Sequence, residues 1–245
     1  MPDTDFGGAP AFPSTIWPLI DSLREKRAPD PQQALGEIIT RYWRPVYAFI
    51  RMARGPSHED AKDLTQEFFA FLLDGDILTR ADRARGSFRT YLKTILRNFL
   101  TSQHRRNTSL KRGGETRIHS IELPDETIEL PDEGADPERT FDGEWARGLM
   151  GTALADVAAS LKRGGQAVQW EIFRARDLAE QEPRPSYEEL ARAHGLTHAQ
   201  VNNYLQDVRG LLRETVVQKV REYASDEDQV WEELNYLMGL WYAQR

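Results

Sequence analysis

Cysteine is absent from the 245 residues. That excludes disulfides, thiolate metal sites and cysteine nucleophiles together, and a reducing, cytoplasmic setting is the expectation. No apolar run approaches the ~18 residues that a bilayer-crossing helix requires, so no membrane partner is expected. Met1 to Pro10 lacks a basic patch followed by an apolar stretch, so a secretory leader is not expected. No glycine-rich nucleotide loop or nucleophile triad occurs, and neither catalysis nor a cofactor is expected. His194 and His198 stand four apart, but Gly195 puts a turn between them and no carboxylate partner is apparent. No metal site is expected there.

What the chain does have is unevenly distributed charge. The total is 32 Lys and Arg against 39 Asp and Glu, a formal net charge of −7. Residues 80–113 nevertheless hold ten basic side chains and one acidic, whereas residues 114–145 hold two basic and eleven acidic. A concentrated basic block inside an acidic chain is a local footprint for a polyanion. The acidic block carries Pro124, Pro131, Pro137 and Gly134 without sustained apolar periodicity, and reads as a self-repelling tether. The expected fold is all-α: two helical domains joined by a flexible acidic linker. Boundaries are placed at 1–13 (flexible start), 14–106 (first domain), 107–145 (linker), 146–221 (second domain) and 222–245 (C-terminal helical extension).

The first domain reads as helices throughout. Ile16, Leu19, Ile20 and Leu23 recur at helical spacing behind Thr15, a possible cap. Leu35, Ile38, Ile39, Tyr42, Val46, Phe49 and Ile50 make a longer stripe, which Pro45 is expected to kink or split. In Glu59 to Leu73, Ala61, Leu64, Phe68 and Leu72 mark a buried face, Ser57 can cap, and Asp60, Asp63 and Glu67 project together. Those acids are either a solvated face or a docking surface. Thr65 beside them is either an ordinary helix threonine or a phosphate acceptor.

From Phe88 to Arg106, Phe88, Tyr91, Leu92, Ile95, Leu96 and Phe99 fall on one stripe. The opposite arc holds Thr90, Lys93, Thr94, Arg97, Asn98, Thr101, His104 and Arg105, with no carboxylate. Such an arc offers cations to phosphates and Asn, Thr and His to base edges. The preceding loop adds Arg80, Arg83 and Arg85, and Gly86 is expected to let backbone approach a ligand closely.

Ser186 to Val216 carries a helix-turn-helix pattern. Ser186 with Glu189, and Thr197 with Gln200, form two possible capping boxes around Gly195. Val201, Tyr204, Leu205, Val208, Leu211 and Leu212 continue an apolar face. The early residues of the second helix, the ones that meet a major groove in such a motif, are Thr197, His198, Ala199, Gln200, Asn202 and Asn203. They are nearly uncharged, so this unit alone should bind duplex weakly.

Taken in order, YWRPVYAFIR (Tyr42 to Arg51), EDAKDLTQEFF (Glu59 to Phe69), GSFRTYLKTILRNFLTSQHRR (Gly86 to Arg106), DPERTFDGEWA (Asp136 to Ala146) and the Ser186 to Val216 unit resemble the extracytoplasmic-function (ECF) subfamily of bacterial RNA polymerase sigma factors. The resemblance implies that Asp60, Asp63, Gln66 and Glu67 bind the clamp helices of the polymerase largest subunit. It implies that Arg80, Arg83, Arg85, Arg89, Lys93, Arg97, Asn98, Thr101, His104 and Arg105 open and hold the minus-ten promoter element. It further implies that Thr197, His198, Gln200, Asn202 and Asn203 read the minus-thirty-five element, and that the acidic tether runs through a basic polymerase channel. An anti-sigma protein or a regulatory kinase would be a further partner. Asn202, Asn203 and Gln206 stand where family members often carry basic residues. The extension after residue 225 has an apolar stripe of Val230, Trp231, Leu234, Leu237, Met238 and Trp241, with packing against the second domain expected.

Two other functions remain open from the residues themselves. One is a stand-alone helix-turn-helix repressor, which would be a dimer on palindromic sites. The other is a polymerase-binding regulator that does not read DNA.

Overall fold

The computed structural model describes residues 16–25, 31–55, 57–73, 76–109, 135–180, 182–224 and 226–243, with single residues at 123 and 128. The described residues are all-helical, as the periodicities require. The helices are α1 (Ile16–Arg24), α2 (Pro31–Arg54), α3 (His58–Leu73), α4 (Phe88–Ser109), α5 (Pro137–Arg163), α6 (Ala167–Asp177), α7 (Tyr187–His194), α8 (His198–Arg221) and α9 (Glu227–Ala243). Two 3-10 turns, Leu78–Arg80 and Arg83–Arg85, fill the connection before α4. The chain divides into two compact units, one built on Leu149–Lys219 and one on Phe12–Gly148 together with Val220–Arg245.

The larger unit is centred on Tyr42, which is 1% exposed. Its ring stacks on Trp145 at 4.6 Å and 10°, and meets Phe88 edge-on at 5.5 Å. Phe88 in turn meets Trp17, and Trp145 meets Tyr223. Trp17 Nε1 donates to the Tyr223 carbonyl at 3.2 Å. Aromatic rings from α1, α2, α4, α5 and the 220–224 segment therefore form one continuous core, in the offset and edge-to-face arrangements that ring quadrupoles favour.

Several expectations meet a different outcome. Pro45 does not divide its helix: α2 runs unbroken from Pro31 to Arg54. A proline forfeits one backbone hydrogen bond, while Tyr42, Trp43, Val46, Tyr47, Ala48, Phe49 and Ile50 around it are all buried. The expected linker is shorter at its C-terminal end. Most of residues 107–134 lies outside the described residues, but helix begins at Pro137. Asp136 accepts from the Glu138 amide at 3.0 Å, with proline at the first helical position. Phe141, Trp145 and Leu149 follow at four-residue steps and are buried. The C-terminal extension also differs. Its α9 bonds to side chains of the larger unit, through Glu233 to Arg89 and Tyr236 to Asp142.

The smaller unit has its own core of Leu154, Val157, Leu161, Ile172, Phe173, Leu190, Ala191, Val201, Leu205 and Val208. Here the local signals correspond to the geometry. Ser186 and Glu189 close a reciprocal capping box at the start of α7. Gly195 takes φ 66° and ψ 33°, the left-handed conformation that glycine tolerates best. The Thr197 amide donates to Gln200 Oε1 at 2.8 Å, and the Gln200 amide donates to Thr197 Oγ1 at 3.2 Å. Helix, turn and helix thus follow from three short sequence features.

Because Trp145 joins α5 to the Tyr42 core, Trp145→Ala should cost about 3–5 kcal/mol. Hydrogen exchange of the α2 and α4 amides should show that loss. A loss under about 1 kcal/mol would mean that α5 is not part of this core.

Candidate nucleic-acid and polymerase interface

Helix α3 presents the acidic surface. Ser57 Oγ accepts from the Asp60 amide at 3.1 Å and donates to Asp60 Oδ2 at 2.7 Å, which fixes the helix start. Asp60, Asp63 and Glu67 are exposed and Gln66 is half-buried. Glu67 accepts from Gln103 Nε2 at 2.7 Å. Partial burial, and then the nearby Asp63 carboxylate, raise the Glu67 pKa above its ordinary value. This face is therefore a cluster of like charges suited to a basic partner. Thr65 is fully buried and donates to the Ala61 carbonyl at 2.7 Å, so its hydroxyl is closed to phosphorylation in this fold.

The loop before α4 is braced from behind. Arg24 of α1 donates to the Thr79 and Ala81 carbonyls at 3.2 and 2.6 Å. Asp82 Oδ1 accepts from the Ala84 amide at 3.0 Å and caps the second turn. Gly86 takes φ 123°. A Cβ built there would meet nothing within 4 Å, so the glycine serves the backbone dihedral rather than close approach to a ligand. Arg80, Arg83 and Arg85 are exposed. Arg85 faces Asp82 at 3.5 Å, and Arg83 Nη2 donates to the Ala224 carbonyl at 2.7 Å.

One side of α4 helps form a cavity of about 410 Å³, lined by Phe71, Ile77, Arg80, Tyr91, Ile95, Asn98, Phe99, Ser102 and Gln103. Phe71, Tyr91 and Phe99 give it an aromatic wall, and Arg80, Asn98, Ser102 and Gln103 a polar one. Tyr91 is half-exposed, and its hydroxyl donates to the Ile77 carbonyl at 2.6 Å. Phe88 is fully buried and belongs to the core. Asn98 and Thr101 are exposed, the Thr101 hydroxyl donating to the Arg97 carbonyl at 2.9 Å. The side chains of His104 and Arg105 lie outside the described residues.

The cations on another side of α4 stand differently from the expectation of an open basic face. Arg89 is 5% exposed. Its Nη1 donates to Asp142 Oδ1 at 2.6 Å, and its Nη2 reaches Glu233 at 2.7 Å. Burial alone would lower the Arg89 pKa, but Glu233 and Asp142 outweigh it and hold the pKa above the usual value. Lys93 Nζ donates to both Asp142 oxygens, at 3.1 and 2.9 Å. Arg97 pairs with Glu138 at 2.8 Å while keeping about half of its side chain exposed. Tyr236 completes the cluster by donating to Asp142 Oδ2 at 2.8 Å.

Sequence reading missed Asp142, Glu233 and Tyr236 because an acidic run looks solvated. A signal was present. Arg89, Lys93 and Arg97 step by four along one helix, and Glu138 and Asp142 step by four along another. On two helices those steps form matching ladders.

In the smaller unit, Thr197, His198, Gln200 and Asn203 are exposed and Asn202 is half-buried. The His198 ring lies 5.3 Å from that of Tyr187 and is tilted 41° to it, and its Nε2 lies 3.6 Å from Glu188. The capping box occupies Thr197 Oγ1 and Gln200 Oε1. Among the described residues, no group of three or more His, Cys, Asp or Glu side chains is placed to hold a metal ion. No described helix is long and apolar enough to cross a membrane.

Three phenols set an alkaline limit. Partial burial, then the hydrogen bond to Asp142, pushes Tyr236 up to about 12. Tyr42 and Tyr223 are also raised, chiefly by burial. Unfolded tyrosines ionise near ~10, so above that pH the unfolded chain releases protons that the folded chain retains, and stability falls. Urea unfolding should show level stability to about pH 9 and a decline above about pH 10, shallower in Tyr236→Phe. A flat profile through that range would contradict the placement of these rings.

Residues 38–109, which span most of α2, all of α3, the cavity and α4, match the family model for Sigma-70 region 2. A search of curated proteins finds no match to the chain. The acidic α3, the braced arginine loop and α4 thus fall within the one stretch, 38–109 of the 245 residues, that is similar to Sigma-70 region 2.

Proposed function

We propose that the chain is an ECF-type sigma factor, working in the cytoplasm, that binds core RNA polymerase through Asp60, Asp63, Gln66 and Glu67. In this reading the Arg80–Arg105 segment opens and holds the minus-ten element, and the start of α8 reads the minus-thirty-five element. The carrying observation is that one helical unit presents an exposed carboxylate surface on α3 and, next to it, a cavity of about 410 Å³ lined by Phe71, Tyr91 and Phe99 with Arg80 and Asn98. A melted strand needs a surface on which an unstacked base can rest, and aromatic rings beside a cation supply one.

At the start of α8, Gln200 keeps its amide nitrogen to donate after its oxygen is engaged by the capping box, and Asn203 can donate and accept. Few cations accompany them, so the phosphate attraction that dominates duplex affinity must come mainly from polymerase. The proposed partners are therefore core polymerase and promoter DNA together, with an anti-sigma protein or kinase as a further regulator.

The alternative of a polymerase-binding regulator that does not read DNA draws support from one observation, the engagement of Arg89, Lys93 and Arg97 by carboxylates of the same chain. Runoff transcription with core enzyme and a genomic fragment library separates the two readings. Defined start sites are expected for a sigma factor, and none for the regulator.

Asp63→Lys with Glu67→Lys should abolish co-elution with core polymerase and runoff product together, without lowering the unfolding midpoint. Retained co-elution would remove α3 from the docking surface. Gln200→Ala and Asn203→Ala should each cost about 1–3 kcal/mol of discrimination at an upstream base pair. An unaltered promoter profile from the same fragment library would remove them from the readout.

A further inference from the structure

Three α4 cations are matched by three carboxylates of the same chain: Arg89 and Lys93 by Asp142 and Glu233, and Arg97 by Glu138. Glu138 and Asp142 come from the first turns of α5, and Glu233 comes from α9. Tyr236 of α9 adds a hydrogen bond to Asp142, and its ring lies 5.6 Å from the Arg89 guanidinium. The loop cation Arg83 is engaged by the Ala224 carbonyl just before α9. These are the groups that the proposed function assigns to a DNA strand. A strand of phosphates and this set of carboxylates compete for the same donors.

The two carboxylate sources are held very differently. The start of α5 is fastened by Phe141 and Trp145, which are 0% and 2% exposed in the aromatic core. Helix α9 buries Val230, Leu237 and Leu240, yet leaves Trp231 and Tyr236 nearly half exposed. Its departure would expose those three apolar side chains while leaving Phe141 and Trp145 on Tyr42. It would take away Glu233, the Tyr236 hydrogen bond and the lid over Arg89, leaving Asp142 shared between Arg89 and Lys93.

We propose that α9 is an internal strap that covers Arg89 on the strand-holding side of α4 in the free chain and must lift before a DNA strand can reach that guanidinium. This rests on the reading of α4 as strand-holding, and deepens it by naming what regulates it. Free protein is then held back from single-stranded DNA by its own C-terminal helix. Any event that draws α9 elsewhere, docking on polymerase among them, frees Arg89 from Glu233.

The test uses the full chain and a fluorescein-labelled oligothymidylate. Glu233→Lys puts a cation against Arg89, and Leu237→Asp puts a charge on the buried side of α9, so the double variant should expel the helix. Hydrogen exchange reports whether residues 227–243 have lost protection while α2 and α4 keep theirs. Oligothymidylate should bind the expelled chain about threefold more tightly at low salt, and its salt slope should steepen by about 0.7, as one cation released to a single strand would give. Adding Arg89→Gln should return the affinity to the wild-type level.

Should Leu237→Asp unfold the unit, Glu233→Gln with Tyr236→Phe cuts only the polar ties and should give a smaller gain of the same sign. Wild-type binding as tight as that of the expelled chain would overturn the strap while leaving the strand-holding reading intact. A helix that keeps its protection in the double variant would also overturn it, because a fixed element regulates nothing. If neither chain holds oligothymidylate although both co-elute with core polymerase, the strand-holding reading of α4 falls, and the strap with it.

Discussion

A buried guanidinium cannot stand without counter-charges, and Arg89 governs the larger unit through that constraint. At 5% exposure it has lost most of its water. Removing an ion from water without a partner costs more than any single apolar contact in the same core returns. Asp142 and Glu233 must therefore be held close, and each arrives on a different helix. Their positions then fix where α5 begins to pack and where α9 lies. Breaking one member of such a set typically costs about 3–5 kcal/mol, which makes the cluster a determinant of arrangement more than a source of net stability.

The aromatic core and the ionic cluster are two faces of the same assembly. Phe88 and Arg89 are neighbours in sequence, the first against Tyr42 and Trp17, the second against Asp142 and Glu233. Phe141 and Asp142 repeat that pairing on α5, with Phe141 near Tyr42 and Asp142 on Arg89. One turn further, Trp145 stacks on Tyr42. The order of contacts also sets direction. Arg89 and Lys93 meet Asp142, and Arg97 meets Glu138. The sequence numbers rise along α4 as they fall along α5, so the two helices run antiparallel.

The legible and illegible parts of the sequence divide along physical lines. Helix starts were readable wherever the signal is local. Ser57, Ser186, Thr197 and Gly195 act within three or four residues, and each does what its chemistry dictates. The apolar stripe of α4 was readable too, since Phe88, Leu92, Leu96 and Phe99 are all buried. Pro45 misled because propensity is a local cost, and seven buried neighbours override it. The start of α5 and the placement of α9 were hidden for a different reason. Carboxylates in a run resemble solvated surface until their partners are known, and those partners are ~40–140 residues away along the chain. Only the four-residue spacing shared by Arg89, Lys93 and Arg97 with Glu138 and Asp142 hinted at the match. The cavity was equally non-local, since Phe71, Ile77 and Tyr91 come from three separate segments.

The net charge of −7 acquires a physical meaning from this arrangement. Ten of the 32 Lys and Arg stand in residues 80–113 with one acid, and an isolated block of that kind would attract any polyanion in the cell. Pairing Arg89, Lys93 and Arg97 with carboxylates of the same chain weakens that attraction without removing the cations. The exposed acids of α3 stay uncovered, so the surface offered first is the one suited to a basic protein partner. Under the proposed function, association with such a partner would precede contact of Arg89 with DNA, because Asp60, Asp63 and Glu67 are exposed in the free chain while Arg89 is buried.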